Sequence, residues 1–296
     1  MDKLKTLFSG WKECNLEQYK EAYALFGGGV LTHPNIVSFL DNHIEGSRFS
    51  FYIKKNEHTI DGVCFSVKNK KLVENIHGSY PLPHDEIIFP VATDAKLFLP
   101  IKSKRLSSIH EKNFINVSYK PLFSKRQICL IKDSFSYKTR RNRSNEINKF
   151  KRAGGEIHPS SEFSAEELVN IYVDLYQKRW DYRHSEEQKK HLLEIYSELR
   201  EHIFGNVLLI NGKPCAYDFV LWADSPKWVS FDAINGGYDP EYAHLSVGSV
   251  LMWVNIQEAK AQCQKGDKTM RYSLGNPTFE YKNRWCETLP LGKVLV

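Results

Sequence analysis

Apolar and polar positions follow two different periods along this chain, and the changes between them mark out its elements. Residues 11–25 place aromatic and charged side chains at helical spacing, and the glycines at 27–29 read as a helix stop and turn. Residues 49–69 hold two apolar runs around a polar turn, the pattern of a β-hairpin. Residues 206–224 repeat the form, with Asn211-Gly212 at the turn, a pair that tolerates positive φ. Between the hairpins, residues 87–100 supply two strand candidates and residues 122–131 another.

Further on, Ile147, Phe150 and Ala153 form a narrow apolar stripe in a basic stretch, which predicts a helix stopped by Gly154-Gly155. Ser164 with Glu167 is a capping box, opening a helix in which Leu168, Ile171, Tyr172, Leu175 and Tyr176 share one face. Ser185 with Gln188 repeats the device. A strand over 228–237 ends in Gly236-Gly237, a loop follows, and then come an apolar helix over 246–259 and a strand over 270–274. From Gly154 onward this is strand, two helices, hairpin, strand, helix, strand: an α+β unit with a mixed sheet and helices packed on it. The repeated hairpin suggests a duplicated pattern, divided into residues 1–135 and 136–296. The first half lacks a glycine-marked helix after its strands, so it is expected to be the degenerate copy.

Composition narrows the class. With 296 residues and 42% apolar content the chain has enough apolar mass for a real core. The six cysteines lie far apart and the histidines show no ligand spacing, so neither a disulfide framework nor a metal is expected. Charges interrupt every apolar stretch near the N-terminus, and no run approaches the roughly 20 apolar residues of a membrane span. The expectation is a cytoplasmic protein, at most peripheral on the inner face of the cytoplasmic membrane.

The formal net charge of +6 sits in one segment, where Lys138, Arg140, Arg141, Arg143, Lys149, Lys151 and Arg152 face only Glu146. That segment reads as a solvated face, a surface for anionic lipid, or a grip on nucleic-acid phosphates. The last is disfavoured, because a strand and not a second recognition helix follows Gly154-Gly155.

Two places carry candidate chemistry. A strand ending at Asn235-Gly236-Gly237, with a helix soon opening at Val247-Gly248-Ser249, offers bare N–H groups at a positive helix terminus. That suits the phosphate of an activated donor, unless the glycines serve turn geometry alone. The second place is Leu274-Gly275 followed by Tyr281-Lys282-Asn283-Arg284-Trp285. Lys282 is the candidate for stabilising the oxyanion of acyl transfer, Arg284 for holding a phosphate or carboxylate, and Tyr281 for moving a proton. The proton acceptor is Asp232 or Asp218, and Asp232 is preferred for its nearness to the glycine turn. Lys282 and Arg284 have a plainer reading as solvated or paired residues of a terminal segment. Lys282→Ala is expected to abolish activity with little change in melting temperature.

This order of elements resembles the GNAT acyltransferase fold. With the basic helix, Gly154-Gly155 and the Tyr-Lys-x-Arg-Trp ending, it looks more like the FemAB branch. More narrowly, R-R-N-R-S-N-E-I and F-E-Y-K-N-R-W-C are similar to the bacterial macrophage-inducible gene fourteen family, tied to resistance against cationic antimicrobial peptides. The resemblance implies tandem GNAT-like modules, with mixed central sheets and helices on both sides. It also implies an acyl- or aminoacyltransferase acting on an envelope component or peptide. The wider pattern has Arg or Gln three residues before the first glycine of the coenzyme A loop and a small residue two after it. Here those places hold Leu245 and Val250, so acyl-CoA shares the donor role with aminoacyl-tRNA and lipid-linked donors. The competing readings are a nucleic-acid-binding transcriptional regulator and a non-catalytic peripheral membrane or peptide-binding protein.

Overall fold

The computed structural model describes residues 10–44, 49–57, 59–67 and 80–295. In the first half, β1 (Lys12–Cys14), β2 (Phe49–Asn56) and β3 (Thr59–Val67) form an antiparallel sheet in that order. Helix α1 (Leu16–Phe26) opens on an Asn15/Gln18 capping box, stops at Gly27, and buries Tyr19, Ala22 and Tyr23. A second helix, α2 (Pro34–His43), starts with its proline in the first turn, where the missing N–H costs nothing. The hairpin expected over 49–69 is β2–β3; its positions 58 and 68–69 lie outside the described residues.

The two strands expected within 87–100 do not form. That stretch makes only isolated bridges, Ile87 to Leu106 and Leu97 to Phe114, with Gly62 bridging Val91. Ile87, Ile88, Phe89, Leu97 and Leu99 are all buried, so the apolar run reflects burial of an extended segment. Pro90 and Pro100 each remove a ladder donor from it.

The remainder is dominated by one eight-stranded sheet. It contains β5 (Gln127–Ile131), β6 (Gly155–Pro159), β7 (Ile203–Phe204), β8 (Asn206–Ile210), β9 (Lys213–Asp224), β10 (Trp228–Tyr238), β11 (Thr269–Ser273) and β12 (Cys286–Pro290). The strand order is β12-β5-β11-β10-β9-β8-β6, with β7 also on β9. Only β10 and β11 pair in parallel; the other neighbours are antiparallel. A small pair, β4 (Val117–Ser118) with β13 (Lys293–Val294), stands apart. Strand β5 precedes residue 136 in sequence yet lies between β11 and β12, so the first half donates a strand to the second sheet.

Helices cover both faces of this sheet. On one side are α3 (Tyr137–Arg152) and α6 (Val247–Lys265). There Phe150, Val250, Trp253 and Ile256 pack on Leu208, Val229 and Phe231. On the other are α4 (Ala165–Trp180) and α5 (Glu186–Glu198), both opened by the expected capping boxes. Their Leu168, Leu175, Ile195 and Tyr196 share one core with Tyr217 and Phe219 of β9 and with the first half of the chain. A short turn of helix, α7 (Lys282–Trp285), leads into β12.

Helix α4 lies so close to β10 that a Cβ on Gly237 would stand 2.3 Å from the carbonyl carbon of Leu175. Gly237→Ala therefore forces the helix off the strand. We expect a loss of about 3 kcal/mol, read as a lower urea midpoint with an unchanged slope.

Candidate active site

The site begins where the parallel pair parts. β10 and β11 run side by side from Trp228 and Thr269 to Asp232 and Ser273. Beyond that point β10 continues to Tyr238, with an irregularity against β9 between Ala233 and Asn235. The extra residue, Ile234, bends the strand away, as bulges do. β11 instead parts from β10 and stays on β5, Leu274 N–H donating to the Cys129 carbonyl and Cys129 N–H to that of Gly275, each at 2.9 Å. The gap is walled by the start of α6, the end of α4, and α7 with its preceding loop, giving a cleft of about 480 Å³.

Asn235, Val247, Gly248, Ser249, Tyr281, Lys282 and Arg284 all line this cleft, so seven of the eight predicted residues come together. The eighth, Asp232, is not among the lining residues. Its neighbours Phe231 and Ala233 pack in the core under α6, and strand alternation sends Asp232 to the opposite face. There burial pushes its carboxyl up to about 8, with Glu86 and Asp85 adding to the effect and Arg271 opposing it. The carboxylate that does line the cleft is Asp218 of β9, whose partner in register is Gly236. A Cβ on Gly236 would fall 1.8 Å from Asp218 Oδ1, so the glycine makes room for the carboxylate. Burial pushes Asp218 up to about 6, against the pull of Arg179. Nearness to the glycine turn in sequence favoured Asp232; the register across β9 and β10 puts Asp218, and not Asp232, at the cleft.

Lys282 is neither solvated nor ion-paired. Its ammonium donates to the carbonyls of Leu274 and Asn276, each at 2.6 Å, and the residue is 7% exposed. Burial lowers its pKa, opposed by Cys129, Asp85 and Cys286. Removing it leaves the buried Leu274 carbonyl without this donor, while the Asn276 carbonyl keeps the Thr278 N–H at 2.8 Å, so Lys282→Ala is now expected to cost some stability. Tyr281, at 40% exposed, keeps its phenol above the usual range through burial first and then the Asp218 charge, with Arg179 opposing.

At the other wall, Ser246 takes φ 57° and α6 begins. Among the described residues, no backbone acceptor takes the N–H of Val247 or Gly248. Cations surround this end. Arg284 is exposed at the rim. Arg143 of α3 lies 4.8 Å from the centroid of Trp285 and is bonded to Glu146 at 2.6 Å. Arg179 donates to the Gly236 carbonyl at 3.2 Å and stacks over Trp180 and Tyr238. Leu245 and Val250, which depart from the coenzyme A pattern, are buried in the core beneath α6. Of the basic helix, Lys138, Arg140, Arg141, Lys149, Lys151 and Arg152 are exposed, and Lys149 also ties α3 to the His244 carbonyl at 2.7 Å.

Asp85, Arg143, Arg179 and Trp180 also line the cleft, and sequence reasoning gave none of them that role. In the sequence Arg143 carries only the signal of a charge run, and Arg179 only that of a charged residue late in a predicted helix. Asp85 sits in a Pro-His-Asp-Glu stretch with no periodic signal. Each reaches the site by tertiary packing alone.

This architecture, a parallel strand pair that splays beside a bulge with a helix starting at the opening, is a FemX-like, GNAT-type fold. The chain belongs to the Mig-14 family, whose profile matches residues 33–294. No curated protein matches the sequence. Among solved structures, FemX is similar at 9% identity and TM-score 0.59, covering 96% of this chain and 97% of that one. A tandem GNAT protein from the clavulanic acid biosynthesis pathway is similar at 8% identity and TM-score 0.45, covering 96% of each chain. So is the C-terminal domain of a putative lysylphosphatidylglycerol synthetase from Agrobacterium fabrum, at 11% identity and TM-score 0.47, over 94% of this chain and 90% of that one. At such identities the likeness is one of fold. No helix among the described residues is long and apolar enough to cross a membrane.

Proposed function

We propose that the chain is an acyl- or aminoacyltransferase that modifies an envelope component or a peptide and so contributes to resistance against cationic antimicrobial peptides. The observation that carries this reading is the presence in one cleft of Asp218, a carboxylate raised to about 6, and Lys282, a buried ammonium. Two of the three N–H groups of Lys282 are held by the Leu274 and Asn276 carbonyls, which leaves one for the oxygen of a bound acyl group.

In this scheme Asp218 takes the proton from the acceptor amine or hydroxyl as its heteroatom attacks the acyl carbon. The carbonyl electron pair moves onto oxygen, where the Lys282 ammonium stabilises the new charge far more than it did the neutral carbonyl. Collapse expels the donor's leaving group, and the Tyr281 phenol, kept protonated by burial, supplies its proton. The free N–H groups of Val247 and Gly248, with Ser249, Asn235 and Arg284, hold the anionic part of the donor. Acyl-CoA, aminoacyl-tRNA and lipid-linked donors all carry such a part. Aminoacylation of a phosphate or hydroxyl would add a cation to the envelope, whereas capping an amine would remove one. The first outcome lowers attraction for cationic peptides. The exposed cations of α3 would rest on the anionic inner face of the cytoplasmic membrane, close to a lipid-linked acceptor.

Calorimetric titration of the chain with coenzyme A, acyl-CoA, charged and uncharged tRNA, and a lipid-linked acyl donor in detergent micelles tests this directly. We expect saturable binding of one donor class, lost in Gly248→Asp, where a new carboxylate opposes the donor anion. A Cβ at 248 meets only the Tyr238 ring at 3.5 Å, an ordinary contact, so the variant should fold. Absence of binding by every donor at millimolar concentration would overturn the transferase reading.

A further inference from the structure

One carboxylate on the cleft wall has no part in this scheme: Asp85, carried on the segment between β3 and β5. Its neighbour Glu86 pairs with Arg271 of β11, the two side chains being 8% and 11% exposed. Asp85 Oδ1 itself accepts from Asn276 Nδ2 at 2.7 Å. A Cβ on Gly275 would lie 2.6 Å from Asp85 Oδ2, and that glycine has φ 71°, so the turn leaves the space that the carboxylate fills. Two successive acidic residues therefore grip β11 and the turn that leaves it.

That turn is the one Lys282 closes. The ammonium returns across eight residues to the Leu274 carbonyl, and across six to that of Asn276. Asn276 is thus held from both sides, its amide by Asp85 and its carbonyl by Lys282. The groups facing Lys282 are the Asp85 carboxylate, the thiols of Cys129 and Cys286, the Phe279 ring at 5.9 Å and the two carbonyls. The carboxylate among them is contributed by the other half of the chain.

Resting on the reading of Lys282 as the oxyanion group, we infer that Asp85 is its positioning residue. Through Asn276, Asp85 fixes the 274–282 loop and supplies the negative charge that keeps the ammonium at the cleft wall. The acyl-transfer site is in this sense composite. The first half, expected to be degenerate, provides the counter-charge for a group on the second.

Competitive labelling with acetic anhydride, read at Lys282 by peptide mass spectrometry between about pH 7 and 11, tests this on the full chain without any substrate. Asp85→Asn keeps an oxygen that accepts from Asn276 and removes only the charge. Burial then acts on the ammonium with less opposition, so the labelling midpoint of Lys282 should move to lower pH while that of exposed Lys138 stays. A purely structural role for Asp85 leaves the midpoint in place, and that result overturns the inference. Asn276→Ala supplies a second arm: the loop loosens and labelling of Lys282 should speed up several-fold. Unaltered protection there would also count against the inference. Full activity in Lys282→Met removes the oxyanion reading itself, whatever the labelling shows. An inactive Lys282→Met with an unmoved midpoint in Asp85→Asn rejects the role of Asp85 alone.

Discussion

Asp218→Asn should lower turnover by about 10²- to 10³-fold with little change in KM, because the acceptor loses its proton acceptor while the donor wall is untouched. The sign of the pH dependence follows from the same group. Its working form is the carboxylate and its carboxyl is raised to about 6, so the wild-type rate should climb with pH and reach half its plateau near that value. The residual rate of Asp218→Asn should lack this acid limb. Asp232→Asn is the contrasting control. That carboxyl is raised to about 8, so it is mostly protonated at neutral pH and its amide replacement should keep most of the activity. If instead Asp232→Asn abolished the rate and Asp218→Asn spared it, the assignment from strand register would be wrong.

Lys282→Met should lose about 10³-fold in turnover, the scale on which single oxyanion donors act. It should also lose stability, by about 2 kcal/mol, because the buried Leu274 carbonyl is left without this donor, while that of Asn276 keeps the Thr278 N–H. The two effects are separable. Thermal melts report the latch, and turnover measured well below the melting point reports the oxyanion contact. A variant that melts earlier yet works at the wild-type rate would leave Lys282 a structural group only.

Much of this was legible in the chain because it rested on local signals. Capping boxes at Ser164 and Ser185, the Asn211-Gly212 turn and the stop at Gly154 each act within a few residues, and each lies where the spacing put it. The proposed donor wall was readable for the same reason, since one strand end and one helix start supply it. The proposed acid–base group was not. The choice between Asp218 and Asp232 depends on which face of β10 each addresses, and the bulge at Ile234 lies between those two places. Nor could Asp85 and Arg179 be placed, because each meets the cleft across more than fifty residues of chain. The apolar run at 87–100 misled for a related reason: burial alone produces it, and Pro90 and Pro100 prevent the ladder that a strand needs.

The position of β5 has a bearing on how the molecule is made. Its partners are β11, through Ser273 with Leu130, and β12, through five successive pairs from Cys286 with Ile131 to Pro290 with Gln127. A strand that leaves the ribosome early must therefore wait for partners synthesised about 140 residues later. At ordinary elongation rates that is on the order of ten seconds. Such distant pairings raise contact order and slow folding. During the wait Ile128, Cys129, Leu130 and Ile131, all buried in the finished sheet, stand unpaired in a nascent chain. The last strand to join this sheet is then β12, which directly follows the helical turn bearing Lys282, so the candidate cleft and the sheet edge are completed together.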